Sequence, residues 1–291
     1  MSKGANSVFS AAAILLPIVA LVAACGTAAE VPSRATPFRA TIVLPFDSYK
    51  AGAEDIATID AAQIALMREC MAAKGYAWTW PRQAAREHPL LSGNARRYGL
   101  ADSDAADRYG YHVPDTPESA QAKAAEAAWT DRLGDDEKAG LFDRGGCVDE
   151  ASAVLRKGID DRHRSWFTGM EHQAIDQSAE DPAVARAITA WSSCMHEGGY
   201  NYRTPQDAVE DRRWDLDAPR VSPAERAVAT ADVRCKQQTR LIPTRAAAEK
   251  RIQTKMLGEH ADRFDAVLKS HERFVSNARR VLADVEKRRR R

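Results

Sequence analysis

Two 18-residue segments of this chain lie 124 positions apart and align without a gap. They run from Ile64 to Pro81 and from Ile188 to Pro205. Six positions are identical: Ile64/Ile188, Cys70/Cys194, Met71/Met195, Gly75/Gly199, Tyr76/Tyr200 and Pro81/Pro205. Trp78 and Tyr202 add a conservative match. Cys, Met and Tyr are scarce in the chain, at 5, 6 and 7 of 291 residues, so identities on them read as an internal duplication. Each copy has the same local logic. An amphipathic helix runs up to Cys-Met, and a glycine follows where a helix C-cap takes the left-handed conformation. The chain then leaves in extended form through Tyr-x-(Trp/Tyr) and stops at Pro.

The duplication constrains the covalent framework. Beyond Cys25 there are four cysteines, Cys70, Cys147, Cys194 and Cys235, an even number that suits two disulfides in an exported chain. If each copy is a structural unit, each holds its own bridge: Cys70 with Cys147, and Cys194 with Cys235. The rival pairing joins the copies through Cys70–Cys194. In the chain-entropy picture each intra-unit bridge, closing 77 or 41 residues, contributes about 4 kcal/mol. No Cys-x-x-Cys occurs, and the wide spacing argues against zinc.

The N-terminus carries an address. Ala11–Ala24 is an uncharged, mostly apolar run of 14 residues, short of the roughly 20 that a spanning helix needs, and it reads as a secretory signal. It ends Leu21-Val22-Ala23-Ala24-Cys25-Gly26, which resembles the bacterial lipobox. That resemblance implies cleavage before Cys25, diacylglycerol on its thiol and acylation of the new amino group. The alternative is ordinary cleavage near Ala24 or Ala29. Residues 1–24 are then a signal peptide and 25–37 a tether.

The rest of the chain reads as helical. Only 7% of residues are aromatic, and the chain is rich in Ala and Arg. The expected architecture is mainly α: two duplicated disulfide-stapled helical units with short extended segments, plus a long C-terminal helix. The first unit spans 38–180, the second 181–243, and the helix with its basic tail 244–291. Phe38–Phe46 is β-prone, a strand or an extended strap. Helices are expected over about 54–74, 118–133, from 135, over 147–177 without interruption, from Asp181-Pro182, and from a capping box at Ser222–Glu225 through Cys235. Residues 81–117 read as a long irregular loop. Pro243 is expected to break or kink the helix that carries Cys235.

The last segment reads as a single helix from Thr244 to about Lys287. Leu257, Ala261, Phe264, Leu268, His271, Val275, Ala278, Leu282 and Val285 form a heptad seam. Such a seam suits a helix laid on its own domain or a protruding, paired coiled coil. The larger side chains (Leu257, Phe264, Leu268) are expected on the Cys194–Cys235 unit. The distal half is expected to project, its apolar stripe open to a partner helix or a second copy.

Short landmarks along the chain resemble a set of uncharacterised actinobacterial secreted and lipid-anchored proteins with duplicated Cys-Met-x-x-x-Gly-Tyr motifs. They are Leu44-Pro45-Phe46-Asp47-Ser48-Tyr49, Arg97-Tyr98-Gly99-Leu100, Ala190-Trp191-Ser192-Ser193-Cys194-Met195 and Ala231-Asp232-Val233-Arg234-Cys235. The resemblance implies an envelope location, lipid-anchored on the outer face of the cytoplasmic membrane. It supplies no catalytic residues.

Enzyme signatures are absent: no Gly-x-Ser-x-Gly elbow, phosphate loop or His-Glu-x-x-His. Glu171-His172 and His196-Glu197 are adjacent on helices and diverge, so no metal or cofactor is expected. Lys plus Arg is 42 against 41 for Asp plus Glu, a balance that argues against nucleic acid. The imbalance is local: residues 245–291 carry 14 basic and 7 acidic groups. The terminal Lys287–Arg291 suits anionic headgroups or wall polymers. Tyr76 and Trp78, with Tyr200 and Tyr202, alternate onto one face of an extended segment. Exposed, they would stack on sugar rings; buried, they are core. The favoured function is a non-catalytic envelope lipoprotein that binds or organises another envelope protein or wall polymer. The alternatives are a glycan-binding module using the aromatic pairs and a wall-active hydrolase with an unrecognised carboxylate site.

Overall fold

Helices make up most of the described chain, and a cap or a left-handed residue ends most of them. A computed structural model describes residues 42–80, 93–113, 117–218 and 220–290. The expected signal peptide, Cys25 and the tether lie outside the described residues, as do 38–41 of the expected strand and residues 81–92.

The helices are α1 (Ala53–Ala73), α2 (Ser103–Tyr109), α3 (Pro117–Arg132), α4 (Asp135–Phe142), α5 (Cys147–Leu155), α6 (Asp161–Ala179), α7 (Pro182–Glu197), α8 (Pro205–Val209), α9 (Pro223–Gln238), α10 (Leu241–Glu259) and α11 (Ala261–Arg289). No strand occurs among the described residues. The architecture is the expected mainly α one, with both bridges and a long C-terminal helix. Pro45–Tyr49 is a turn of 3-10 helix rather than part of a strand. Its Phe46 ring is fully buried against Phe167 and Phe264, with centroids 5.7 and 5.0 Å away.

Four expected boundaries are corrected. The single helix over 147–177 is two, because Gly158 takes φ +74° and Asp160 starts α6 by accepting from the Arg162 backbone N–H at 3.0 Å. Part of the supposed loop is α2, started by Asp102, which accepts from the Ala105 N–H at 2.8 Å. Pro243 neither breaks nor kinks a helix. The chain turns at Arg240, with φ 54°, and Pro243 falls in the first turn of α10, where a missing N–H costs nothing. The C-terminal helix is accordingly two helices. They meet at His260, whose φ of −131° and ψ of 31° leave the helical region. The Trp166 ring packs edge-on to the His260 ring and lies under the Arg263 guanidinium.

The seam does not project. Phe264 and Leu257 pack with Phe46, Phe167 and Met170, not on the Cys194–Cys235 unit. Further along α11, Val275 and Ala278 are buried with Ile59 and Ala62 of α1 and Leu155 of α5, and Leu282 packs against the same cluster. His271 meets Asp55, and Arg288 meets Glu69, so the two helices run parallel. The stripe expected to await a partner is covered by α1. The seam pattern could not tell the two apart, because a helix on its own domain and a helix in a coiled coil bury the same stripe.

From α11, Asn277 also reaches α5. Its amide donates to the carbonyls of Leu155 at 2.8 Å and Lys157 at 3.0 Å, satisfying a helix C-terminus from another part of the chain. Removing residues 276–291 strips this cap and the cover of α1. The expected outcome is a loss of about 4 kcal/mol or more in urea unfolding, with α1 exposed to proteolysis. A truncated chain as stable as the whole one would show that α11 is an accessory.

Candidate functional site

The cysteines form the bridges Cys70–Cys147 and Cys194–Cys235, with Cα separations of 5.6 and 5.7 Å. Both first partners sit one residue before the methionine whose carbonyl closes the helix. The Tyr76 N–H donates to the Met71 carbonyl at 3.0 Å and the Tyr200 N–H to Met195 at 2.9 Å. One residue earlier, the Gly75 N–H donates to Ala72 and the Gly199 N–H to His196. Gly75 and Gly199 have φ of 88° and 85°, a region that suits glycine. The Cys-Met-x-x-x-Gly-Tyr motif is therefore a Schellman cap with a disulfide beside it. The second partners differ between the units. Cys147 opens α5, whereas Cys235 lies near the end of α9.

The extended segments after the caps carry the aromatic pairs inward. Trp78 is 4% exposed and packs on Trp80 and Trp129, with centroids at 5.8 and 5.7 Å. Tyr202 is 8% exposed. Its hydroxyl donates to Asp211 at 2.7 Å. Tyr76 and Tyr200 are half-buried and pack against the same two cores. Burial and the bond to Asp211 push the Tyr202 phenol up to about 12. Arg213 and Tyr202, by contrast, pull the Asp211 carboxyl down to about 2.

Three carboxylates, Glu225, Asp232 and Glu249, are wholly buried. Glu249 on α10 accepts from Arg97 Nε at 3.0 Å, from the Tyr98 hydroxyl at 2.7 Å and from Gln253 Nε2 at 2.7 Å. Gln253 in turn accepts from the Phe46 N–H at 2.9 Å. Burial and the bond to Glu249 push the Tyr98 phenol well above its ordinary range. Asp232 on α9 accepts from Lys236 Nζ at 2.8 Å and from Trp191 Nε1 at 2.9 Å, while Lys236 also donates to the Leu100 carbonyl at 3.0 Å. Burial raises the Asp232 carboxyl despite Lys236. Glu225 only half fulfils the expected capping box. Ser222 does accept from the Glu225 N–H, but the Glu225 carboxylate turns inward. It accepts from the Tyr111 N–H at 2.8 Å and lies 3.0 Å from His112 Nδ1.

Such groups hold segments together rather than face a substrate. Arg97-Tyr98 and Asp232 lie in the landmark segments, which by themselves assign them no role. A charged residue flanked by apolar ones on a helix, as Asp232 is by Ala231 and Val233, was the available sign of a buried ion pair. His172, His196 and Glu197 are exposed, and Glu171 bonds Lys50 at 2.9 Å. Among the described residues no group of three or more His, Cys, Asp or Glu is placed to hold a metal ion.

Grooves lie along α11. One of about 470 Å³ runs past Asp55, His271 and Arg279, where His271 Nε2 is 3.1 Å from Asp55 Oδ2. Two smaller ones, of about 260 and 280 Å³, share Ala65, Arg68, Val285 and Arg289 at the distal end. Comparison of the chain with protein-family models, curated proteins and solved structures found no match.

Two outcomes follow from the buried groups. Glu249→Ala leaves Arg97 and Tyr98 facing an empty position, and urea unfolding should register a loss of about 3–5 kcal/mol. Unchanged stability would remove Glu249 from the framework. The phenols of Tyr98, Tyr111 and Tyr202 all ionise later folded than unfolded, chiefly because they are buried. Their contribution to stability is thus complete below the unfolded value of about 10 and lost as pH rises beyond it. In an alkaline titration the phenolate step near pH 10 should fall short of the 7-tyrosine amplitude. The remainder should arrive with loss of helix.

Proposed function

We propose that this chain is a non-catalytic, membrane-anchored envelope lipoprotein that binds or organises another envelope component. The observation that carries the reading is covalent. The four cysteines after the lipobox-like segment are all consumed in two bridges, the chemistry of an oxidising compartment, while Cys25 stands apart at the position acylation requires. In support, the three carboxylates of the core, Glu225, Asp232 and Glu249, are each bonded to groups within it. Burial of Trp78 and Tyr202 likewise takes their ring faces away from a sugar. The apolar stripe of α11 is occupied by α1, which leaves the distal grooves among the surfaces open to a partner.

Mass spectrometry of the mature N-terminal peptide tests the anchor. The expected species begins at Cys25 and carries acyl chains. An unmodified terminus at Gly26 or Glu30, with protein in the medium, would overturn it. Crosslinked capture from intact cells then separates the roles: a specific envelope protein supports the organiser reading, whereas turnover of purified wall material would replace it with the hydrolase.

A further inference from the structure

The ends of α1 and α11 lie side by side, and the groove between them combines two chemistries. Its floor is apolar, built from Ile64 and Ala65 of α1 and from Leu282 and Val285 of α11. Its rim carries the guanidiniums of Arg68 and Arg289, one from each helix, both exposed. The neighbouring carboxylates are already engaged. Glu69 accepts from Arg288 at 2.7 Å, and Glu286 pairs with Arg290. Arg68 and Arg289 have no ionic partner among the described residues. Two unpaired guanidiniums over an apolar floor form a surface for an anion attached to something apolar, since the planar fork suits phosphate oxygens and the floor suits methylenes. A wholly hydrophilic polyanion would use the rim and leave the floor wet.

We propose that the Arg68–Arg289 groove docks anionic phospholipid of the leaflet that carries the anchor, a partner that rests on the membrane-anchored reading above. The lengths permit it. Phe46 and Phe264 pack at the other end of α11, about 37 Å from Arg289 at 1.5 Å per residue. The 17 residue steps from Cys25 to Ile42 reach about 60 Å when extended. A basic groove of this kind is the second signal that turns acyl insertion into a fixed orientation on the surface.

Residues 37–291 form one compact unit with its own cores and both bridges, so the test uses that unit without lipid. It is sedimented with vesicles of phosphatidylcholine alone and of phosphatidylcholine and phosphatidylglycerol in equal parts. Binding is expected only to the mixed vesicles and should weaken with salt. Arg68→Gln and Arg289→Gln should each weaken it about five-fold, and Arg279→Gln, away from the groove, should not. Circular dichroism and intact bridges check that the variants fold. Equal binding to both vesicles, or unchanged binding by the two groove variants, overturns the proposal. So does equal competition by soluble poly(glycerol phosphate) at matched phosphate, which would assign the groove to a wall polymer. Because this protein lacks Cys25, the result is independent of acylation, and a failure of the anchor reading appears separately at the N-terminal peptide.

Discussion

A carboxylate removed from water must collect donors from whatever segments reach it, and Glu249 gathers them from along the chain. Arg97 and Tyr98 come from a stretch of turns, Gln253 from the next turn of the same helix, and Gln253 fixes the backbone of Phe46. That buried charge fixes the 93–100 segment and, through Gln253, the backbone of the Pro45–Tyr49 turn against α10, beside the packing of the Phe46 ring. An unpaired ion in that position is costly, so the network is all-or-none and registers these parts against one another. Asp232 and Lys236 do the same on α9 for the segment ending at Leu100. Two irregular stretches are thus held by buried charges on helices distant in sequence.

The two copies of the Cys-Met-x-x-x-Gly-Tyr motif agree in part of their structure only. Cap, disulfide position and inward aromatic are kept in both copies, because a Schellman cap fixes the exit direction of the chain and the bridge fixes what lies beside it. The partner helices are not kept. Cys147 reaches its bridge from the first turn of α5 and Cys235 from near the end of α9. The two cores also recruit different neighbours: α3, α4 and α5 in the first, α2, α8 and α9 in the second. What the two copies share is a way of ending a helix next to a disulfide. Around it, each core has been packed independently.

The pair α10 and α11 joins these cores. Helix α10 lies against α6 and α7, while α11 lies along α1 and caps α5 through Asn277. The unusual basicity of the last 47 residues is therefore not that of a loose tail. Arg279 and Arg288 pair with carboxylates of α1, and Arg289 lies beside the apolar floor of the distal groove.

The caps and the helical character were determined by sequence, since a glycine at φ near +88° and an Asp-Pro start act over a few residues. Tertiary structure alone decided what each apolar stripe meets. The heptad seam of α11 has the same spacing whether it faces α1 or another molecule, and only the position of α1, set by the Cys70–Cys147 bridge and the Asn277 cap, distinguishes them. The break at His260 and the turn at Gly158 were missed for a related reason. Helical periodicity survives across a short interruption, while the ring cluster around Phe264 and the contacts of α6 require the chain to change direction there. The inward turn of Glu225 was invisible too, because a carboxylate three residues after a serine serves a cap or a distant backbone equally well, and the choice belonged to Tyr111 and His112.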